Sequence, residues 1–291
     1  MKRQIVPVLL MGALALTIRA VSGNGLAPAA HPSAHKITTQ RELWQRFFGP
    51  VRPRHTLVTG VDAEGLARLL LPAEPVLVWK GASASGVSCD YQTGERPAKR
   101  LSLGVGVFAS AGAALDALEA ASWRASMFPP PVRGVGDMAF GANTTVFVLN
   151  SNVLVRLYWM GAGQEETLSA AGRIVEELER GERFVTRGKQ VKLPRIISTG
   201  LPEQVRLGQE VTGSVVLAGI DPEQALVGIY WDWLRTPHPV ETVARPGNPP
   251  TITLHVSRDP NTAGEKKFTL VVATPKNVIA TKEIRIVVST Q

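Results

Sequence analysis

The sequence predicts an α+β fold, an antiparallel sheet with helices on one face, followed by a β-sandwich. Over residues 61–190, segments of helical and strand period follow one another as helix, strands, helix, hairpin, helix. Over residues 193–291 the period is two throughout, with Gly and Pro turns and no helical repeat. The size agrees: 291 residues, 44% hydrophobic and 19% charged, suffice for two ordinary domains and exclude a chain disordered throughout, a collagen and a small disulfide scaffold. The expected plan is a signal peptide at 1–23, a mobile arm with a short amphipathic helix at 24–60, the α+β domain at 61–190 and the sandwich at 193–291.

The export reading comes from the first residues. Lys2 and Arg3 precede an apolar stretch from Ile5 to Ile18, and Arg19 closes it. A bilayer core needs about 20 apolar residues as helix, so a cleaved signal fits better than a span. Ala20, Val21 and Ser22 supply the small residues of a cleavage site. An uncleaved membrane anchor is the alternative. Without a cysteine after the stretch, lipoprotein attachment there is excluded.

The formal charge of +8 suggests nucleic acid until it is divided along the chain. Residues 1–30 carry +3 and residues 31–55 carry +4, whereas residues 56–190 carry −1 and residues 191–291 carry +2. The excess lies in the N-terminal arm, so a nucleic-acid surface on the folded body is not expected. Cys89 is the only cysteine, which forbids an intrachain disulfide. It shares a face with Val87 and Tyr91, and is read as a buried, inert thiol.

In the arm, Asn24 to His35 is rich in Ala, Pro and Gly and has too little apolar periodicity to order itself. Thr39 and Glu42 form a capping box that starts a helix running to about Gly49. Its Leu43, Trp44, Phe47 and Phe48 make an aromatic stripe beside Arg41 and Arg46. The stripe either docks on the protein's own core or, over residues 39–49, meets a membrane surface or partner. Prolines at 50 and 53 then hold the chain extended.

In the α+β segment, Asp62 caps a helix through Leu66, Leu69 and Leu70. Strands follow at Val76 to Trp79 and Val87 to Tyr91, joined by a Gly81 to Gly86 loop, and then at Leu101 to Val107. Ser110 caps a helix whose Ala111, Leu115, Leu118 and Ser122 face one way. Asn150-Ser151-Asn152 separates two β-rich runs and reads as a hairpin turn. Leu168, Ala171, Val175 and Leu178 give a last helix. With Gly134-Val135-Gly136-Asp137 leading into the hairpin, this segment resembles the small α+β domains of exported bacterial lipoproteins and receptor-kinase sensors. That resemblance implies binding or sensing rather than catalysis.

In the C-terminal segment, Trp231 on a middle strand and Gly264 four residues before Phe268 resemble the core Trp and turn-before-aromatic feature of bacterial immunoglobulin-like domains. The inter-sheet disulfide of such domains is absent, and Phe268 cannot make a tyrosine-corner hydrogen bond.

Four familiar chemistries fail on their residues. Gly104, Gly106 and Ala109 fit a dinucleotide fingerprint, but the acid expected about 20 residues on is missing. Gly81, Ser83 and Ser85 lack the second glycine of a nucleophile elbow. Asp259, Asn261 and Gly264 echo a calcium loop whose bidentate Glu position is Leu270. His31, His35, His55, His238 and His255 show no zinc spacing. Glu165 and Glu166 complement a helix dipole.

The constellation with functional colour is Tyr230-Trp231-Asp232-Trp233. With Trp231 and Trp233 inward, Tyr230 and Asp232 face solvent, where a ring and a carboxylate can stack and bond a sugar. The plainer reading packs both Trp in a disulfide-free core. The expected function is an exported, non-enzymatic binding or sensing protein of the bacterial cell envelope, with no cofactor and with an envelope protein or glycan as partner. The alternative is a carbohydrate-binding or adhesion protein using the aromatic strand. Candidate surface residues are Tyr230, Asp232, Trp233, Trp44, Phe47 and Phe48. A hydrolase with a site assembled across domains is the third possibility.

Overall fold

Apolar residues on both faces of its central strands decide how the first part of the chain folds. In the computed structural model, which describes residues 39–51, 54, 56–71, 76–83, 86–93, 99–124, 129–231 and 239–290, every residue from Leu101 to Val107 is buried. Helix α1 (Gln40–Phe48), strand β1 (Leu57–Val61) and helix α2 (Ala63–Leu70) come first. Then follow β2 (Val76–Ser83), β3 (Gly86–Gln92), β4 (Arg100–Val107), α3 (Ala111–Arg124), β5 (Pro131–Val132), β6 (Met138–Ala142), β7 (Thr145–Asn150), β8 (Val153–Met160), α4 (Gln164–Arg180) and β9 (Val185–Gly188). Strands β2 to β8 form a seven-stranded antiparallel sheet in the order β2-β3-β4-β8-β7-β6-β5, and β1 pairs with β9 beside it.

The caps behave as their chemistry requires. Thr39 and Glu42 complete the capping box of α1, Asp62 accepts from the Gly65 amide, and Ser110 accepts from the Ala113 amide. Ser151 takes the left-handed conformation at the β7–β8 turn, φ 53°. The proposed Gly81 to Gly86 loop is shorter than expected, because Gly81, Ala82 and Ser83 continue β2 opposite Ser88, Val87 and Gly86. Leu57 to Gly60, assigned to the arm by sequence, are strand.

The helices do not lie on one face of the sheet. Trp44 and Phe48 of α1 stack on Phe140, with ring centroids 4.7 and 5.2 Å away, while the neighbouring Gly141 approaches Leu168 of α4. Adjacent strand residues point to opposite faces, so α1 and α4 cover opposite sides. The physical reason is the composition of the second face: Ser102, Gly104 and Gly106 are small rather than solvated, and a sheet buried on both faces needs cover on both.

Past residue 190 the described elements are β10 (Arg195–Ser198), β11 (Gln204–Arg206), β12 (Glu210–Ser214), β13 (Val216–Ala218), β14 (Leu226–Trp231), β15 (Glu241–Arg245), β16 (Thr251–His255), β17 (Gly264–Ala273) and β18 (Ile279–Ser289). A four-stranded sheet runs β11-β18-β17-β14 and a three-stranded one β12-β16-β15, with β10 paired to β13. All these pairs are antiparallel except β11–β18. One core lies under both sheets: Phe268, Leu270 and Ile286 from the first, Ile252 and Leu254 from the second. Trp231 packs on Phe268 at 5.0 Å and its Nε1 donates to Thr242 Oγ1 of β15, tying sheet to sheet. The chain is thus β-rich, mostly antiparallel, with four α-helices among the described residues.

The two cores do not follow the two sequence segments. Val271, Ala273, Val278 and Ile279, at the closed end of the β17–β18 hairpin, belong to the core of the seven-stranded sheet. The hairpin tip is bonded there: the Val61 amide donates to the Lys276 carbonyl, the Val107 amide to the Asn277 carbonyl, and Asn277 Nδ2 to the Val61 carbonyl at 2.7 Å. A second contact forms where β14 crosses β2. A Cβ on Gly228 would lie 2.2 Å from the Ala82 carbonyl oxygen, so only glycine admits this approach. Residues from Thr39 onward consequently form one compact unit.

Candidate functional site

Two concavities stand out in this unit. The first, of about 360 Å³, is polar and lies between the β7–β8 turn and the end of α4. Arg54 crosses it, pairing with Glu179 at 2.7 Å and standing 3.9 Å from Asp137. Glu179 also accepts from Asn150 Nδ2, and the buried Asp137 accepts from the Ser151 amide at 2.6 Å. Arg187 donates to the carbonyls of Gly181, Leu178 and Glu177, satisfying the orphan acceptors at the end of α4. Every charge here holds a turn or a helix end, so this cavity reads as architecture.

Its electrostatics give a testable consequence. The hydrogen bond from Arg54 holds the Glu179 carboxyl below its ordinary value, with Asn150 helping and partial burial opposing. A depressed carboxyl contributes stability that is complete above its ordinary pKa, about 4.5, and is lost as pH falls through the folded value. Because the pair is about one-third exposed, Glu179→Gln is expected to flatten the acid limb of a pH–stability curve by about 0.2–1 kcal/mol. Urea midpoints measured from pH 3 to 7 check this, and a variant whose acid limb matches the parent's refutes it.

The second concavity is larger, about 810 Å³, and runs between α3 and the strands β10 and β18. One wall is the small-residue face of α3, Ala113, Ala117 and Ala120. The other is the stretch through β10, where Ile197 is half-exposed. The floor is β18 from Ile279 to Lys282. Two of the lining charges are engaged: Arg41 pairs with Asp116 and Glu119, and Lys282 Nζ donates to the Ile197 carbonyl at 3.0 Å. Arg195 lines the same groove. Apolar walls with a few placed polar groups are the composition of a binding pocket.

The residues singled out by sequence fall elsewhere. The aromatic stripe of α1 divides: Trp44 and Phe48 face Phe140, whereas Leu43 and Phe47 are exposed, and Arg133 lies 4.6 Å from the Phe47 ring. Tyr230 is half-buried on β14, opposite Thr269, and Trp231 is buried. Asp232 and Trp233 lie outside the described residues, as do His31, His35, His55 and His238. His255 stands 3.1 Å from Glu210. Cys89 is buried, and desolvation pushes its thiol pKa up, which makes the reactive thiolate scarcer. Gly104 packs against Ser88 and Arg156 of neighbouring strands. Asp259 accepts from the Asn261 amide in a one-turn helix, and Glu166 is 3.5 Å from Lys99. No group of three or more His, Cys, Asp or Glu that could hold a metal occurs among the described residues.

Sequence reasoning missed the groove. Its one local signal was the Ala113, Ala117, Ala120 spacing, a helical stripe too weakly apolar to be read as a face. The other wall and the floor come from residues more than 70 positions further on.

These observations define a β-rich protein of antiparallel sheets and four described helices with an open groove beside α3. No protein-family model matches the chain, and no curated protein matches it. Among solved structures it has low-scoring likenesses. One is to the twitchin kinase region from C. elegans, at 17% identity over 46% of this chain and 23% of that one, TM-score 0.24. Another is to a chimeric titin Z1Z2 tandem carrying a GRGDS peptide from fibronectin, at 10% identity over 74% of this chain and 100% of that one, TM-score 0.26. The chain spans less than a quarter of that twitchin chain.

Proposed function

We propose that this chain is an exported, non-enzymatic binding or sensing protein of the bacterial cell envelope, whose ligand occupies the groove beside α3. The groove carries the reading: it is large and apolar, and Asp116 on its wall and Lys282 on its floor already have partners, so these polar groups suit orientation better than proton transfer. Export is supported by Lys2, Arg3 and the short apolar run from Ile5 to Ile18. The part beyond residue 193 is read as an immunoglobulin-type sandwich. The segment before β12 is split into two strands, β10 pairing with β13 apart from the larger sheets and β11 running parallel to β18, and Trp231 packs across the core.

The binding reading is tested with an anionic apolar dye, anilinonaphthalene sulfonate. Saturable one-to-one fluorescence enhancement is expected for the parent, and a loss of at least tenfold in affinity for Ala113→Trp, which fills the groove. Absence of saturable binding, or equal binding by a folded Ala113→Trp, sinks it. The export reading predicts an intact mass beginning near Asn24 when the chain is made in bacteria. A secreted or membrane-bound chain that still carries Ile5–Ile18 would instead mean an anchor.

A further inference from the structure

The groove floor has a feature that narrows what it binds. Strand β18 pairs with β17 from Ile279 to Val288, but with β11 only at Val287, Val288 and Ser289. Its second edge, from Ala280 to Ile286, has no strand partner among the described residues. In the β17–β18 register Thr281 stands opposite Val271 and Lys282 opposite Leu270, so they point to opposite faces of the sheet. Both nevertheless line the groove, together with Ala280. Thr269 of β17 lines it as well, so the groove runs from the β17–β18 face over the edge of β18, and that edge borders it. Unpaired N–H and C=O groups at such an edge are a template for another strand.

The walls suit the same occupant. Ala113, Ala117 and Ala120 leave room beside the edge for side chains of an added strand, and Ile196 and Ile197 offer apolar contact on the other side. The charge balance favours the cations: Arg41 is shared by Asp116 and Glu119, leaving one negative charge beside α3 against the positive charges of Arg195 on β10 and Lys282 on β18. We propose that the groove binds an extended peptide with an acidic side chain or C-terminal carboxylate, which adds as a strand along the free edge of β18 and sets its carboxylate toward Arg195. This rests on the reading of the groove as the binding site.

The probe is a displayed library of random ten-residue peptides, selected on the full-length chain and followed by synthesis of the enriched sequences. Those peptides bind one-to-one and compete with the dye. Their affinity falls at least tenfold in Ala113→Trp and in Ile197→Asp; the second variant alters a half-exposed residue and decides the matter if the first does not fold. Arg195→Ala weakens acidic peptides about fivefold or more and leaves their amide-capped, acid-free analogues unchanged. Methylating one alternate set of peptide amides abolishes binding, methylating the other set does not, and amide exchange at Ala280 to Lys282 slows in the complex. If the dye binds the groove but no enriched peptide is blocked by these variants, or if both methylated sets bind equally well, strand addition is wrong while the groove reading stands. If neither dye nor peptide binds there, both fall.

Discussion

Asn152→Leu is expected to lower the unfolding free energy by about 3–5 kcal/mol, the largest effect of any single polar substitution proposed for this chain. Asn152 is fully buried at the β7–β8 turn. Its Nδ2 donates to the Val58 carbonyl at 2.8 Å and the Phe108 carbonyl at 2.9 Å, and its Oδ1 accepts from the Val58 amide at 3.1 Å. One side chain thus satisfies three backbone groups on two other segments, the start of β1 and the end of β4. Leucine has the same number of side-chain heavy atoms but is bulkier and leaves all three orphaned, and a buried orphan costs about 1–3 kcal/mol. The three losses are coupled and do not simply add. Asn152→Asp is the sharper test. The new carboxylate can still accept from Val58, but its second oxygen faces two carbonyl oxygens. This variant is therefore destabilised at pH 7 and partly recovers as pH falls and the carboxyl acquires a proton to donate. Urea unfolding at pH 7 and pH 4.5 reads both variants; a Leu substitution costing under about 1 kcal/mol would mean that water replaces the amide.

Asn277→Ala comes next, at about 2–4 kcal/mol. This residue combines a left-handed backbone, φ 61°, with a buried side chain whose Nδ2 holds the Val61 carbonyl. Alanine loses the hydrogen bond and also bears the left-handed strain of about 1–2 kcal/mol, whereas glycine loses only the bond. Asn277→Gly is thus expected to be the milder of the two. Because this asparagine joins the hairpin tip to the other core, its loss should also speed amide exchange at Val61 and Val107, whose N–H groups donate to Lys276 and Asn277. Equal stability of the alanine and glycine variants would remove the backbone part of this account. Unchanged exchange at Val61 and Val107 would remove the coupling part.

What the sequence made legible was local. The capping box at Thr39, the caps at Asp62 and Ser110, the turn at Ser151 and the strand runs of both parts depend on residues within a few positions, and each stands where its chemistry puts it. The one-face expectation failed because hydropathy cannot tell a small buried residue from a small exposed one. Ser102, Gly104 and Gly106 carry no apolar signal and are covered all the same. The aromatic stripe of α1 was half legible: its spacing fits a docking face, but which two rings dock is set by Phe140, almost 100 residues away. The groove was nearly invisible, since α3, β10 and β18 meet only after the hairpin has been placed.

That placement also orders events in time. As the chain emerges, β1, α2 and β4 are complete long before Lys276, Asn277 and Val278 exist to occupy the gap between Val61 and Val107. Contacts separated by up to 216 positions form late and slowly. In a nascent chain the core of the seven-stranded sheet therefore stays unfinished until β18 has been made. For the exported protein proposed above this is useful: the polypeptide stays threadable through a secretion channel and locks only after its C-terminal hairpin has crossed.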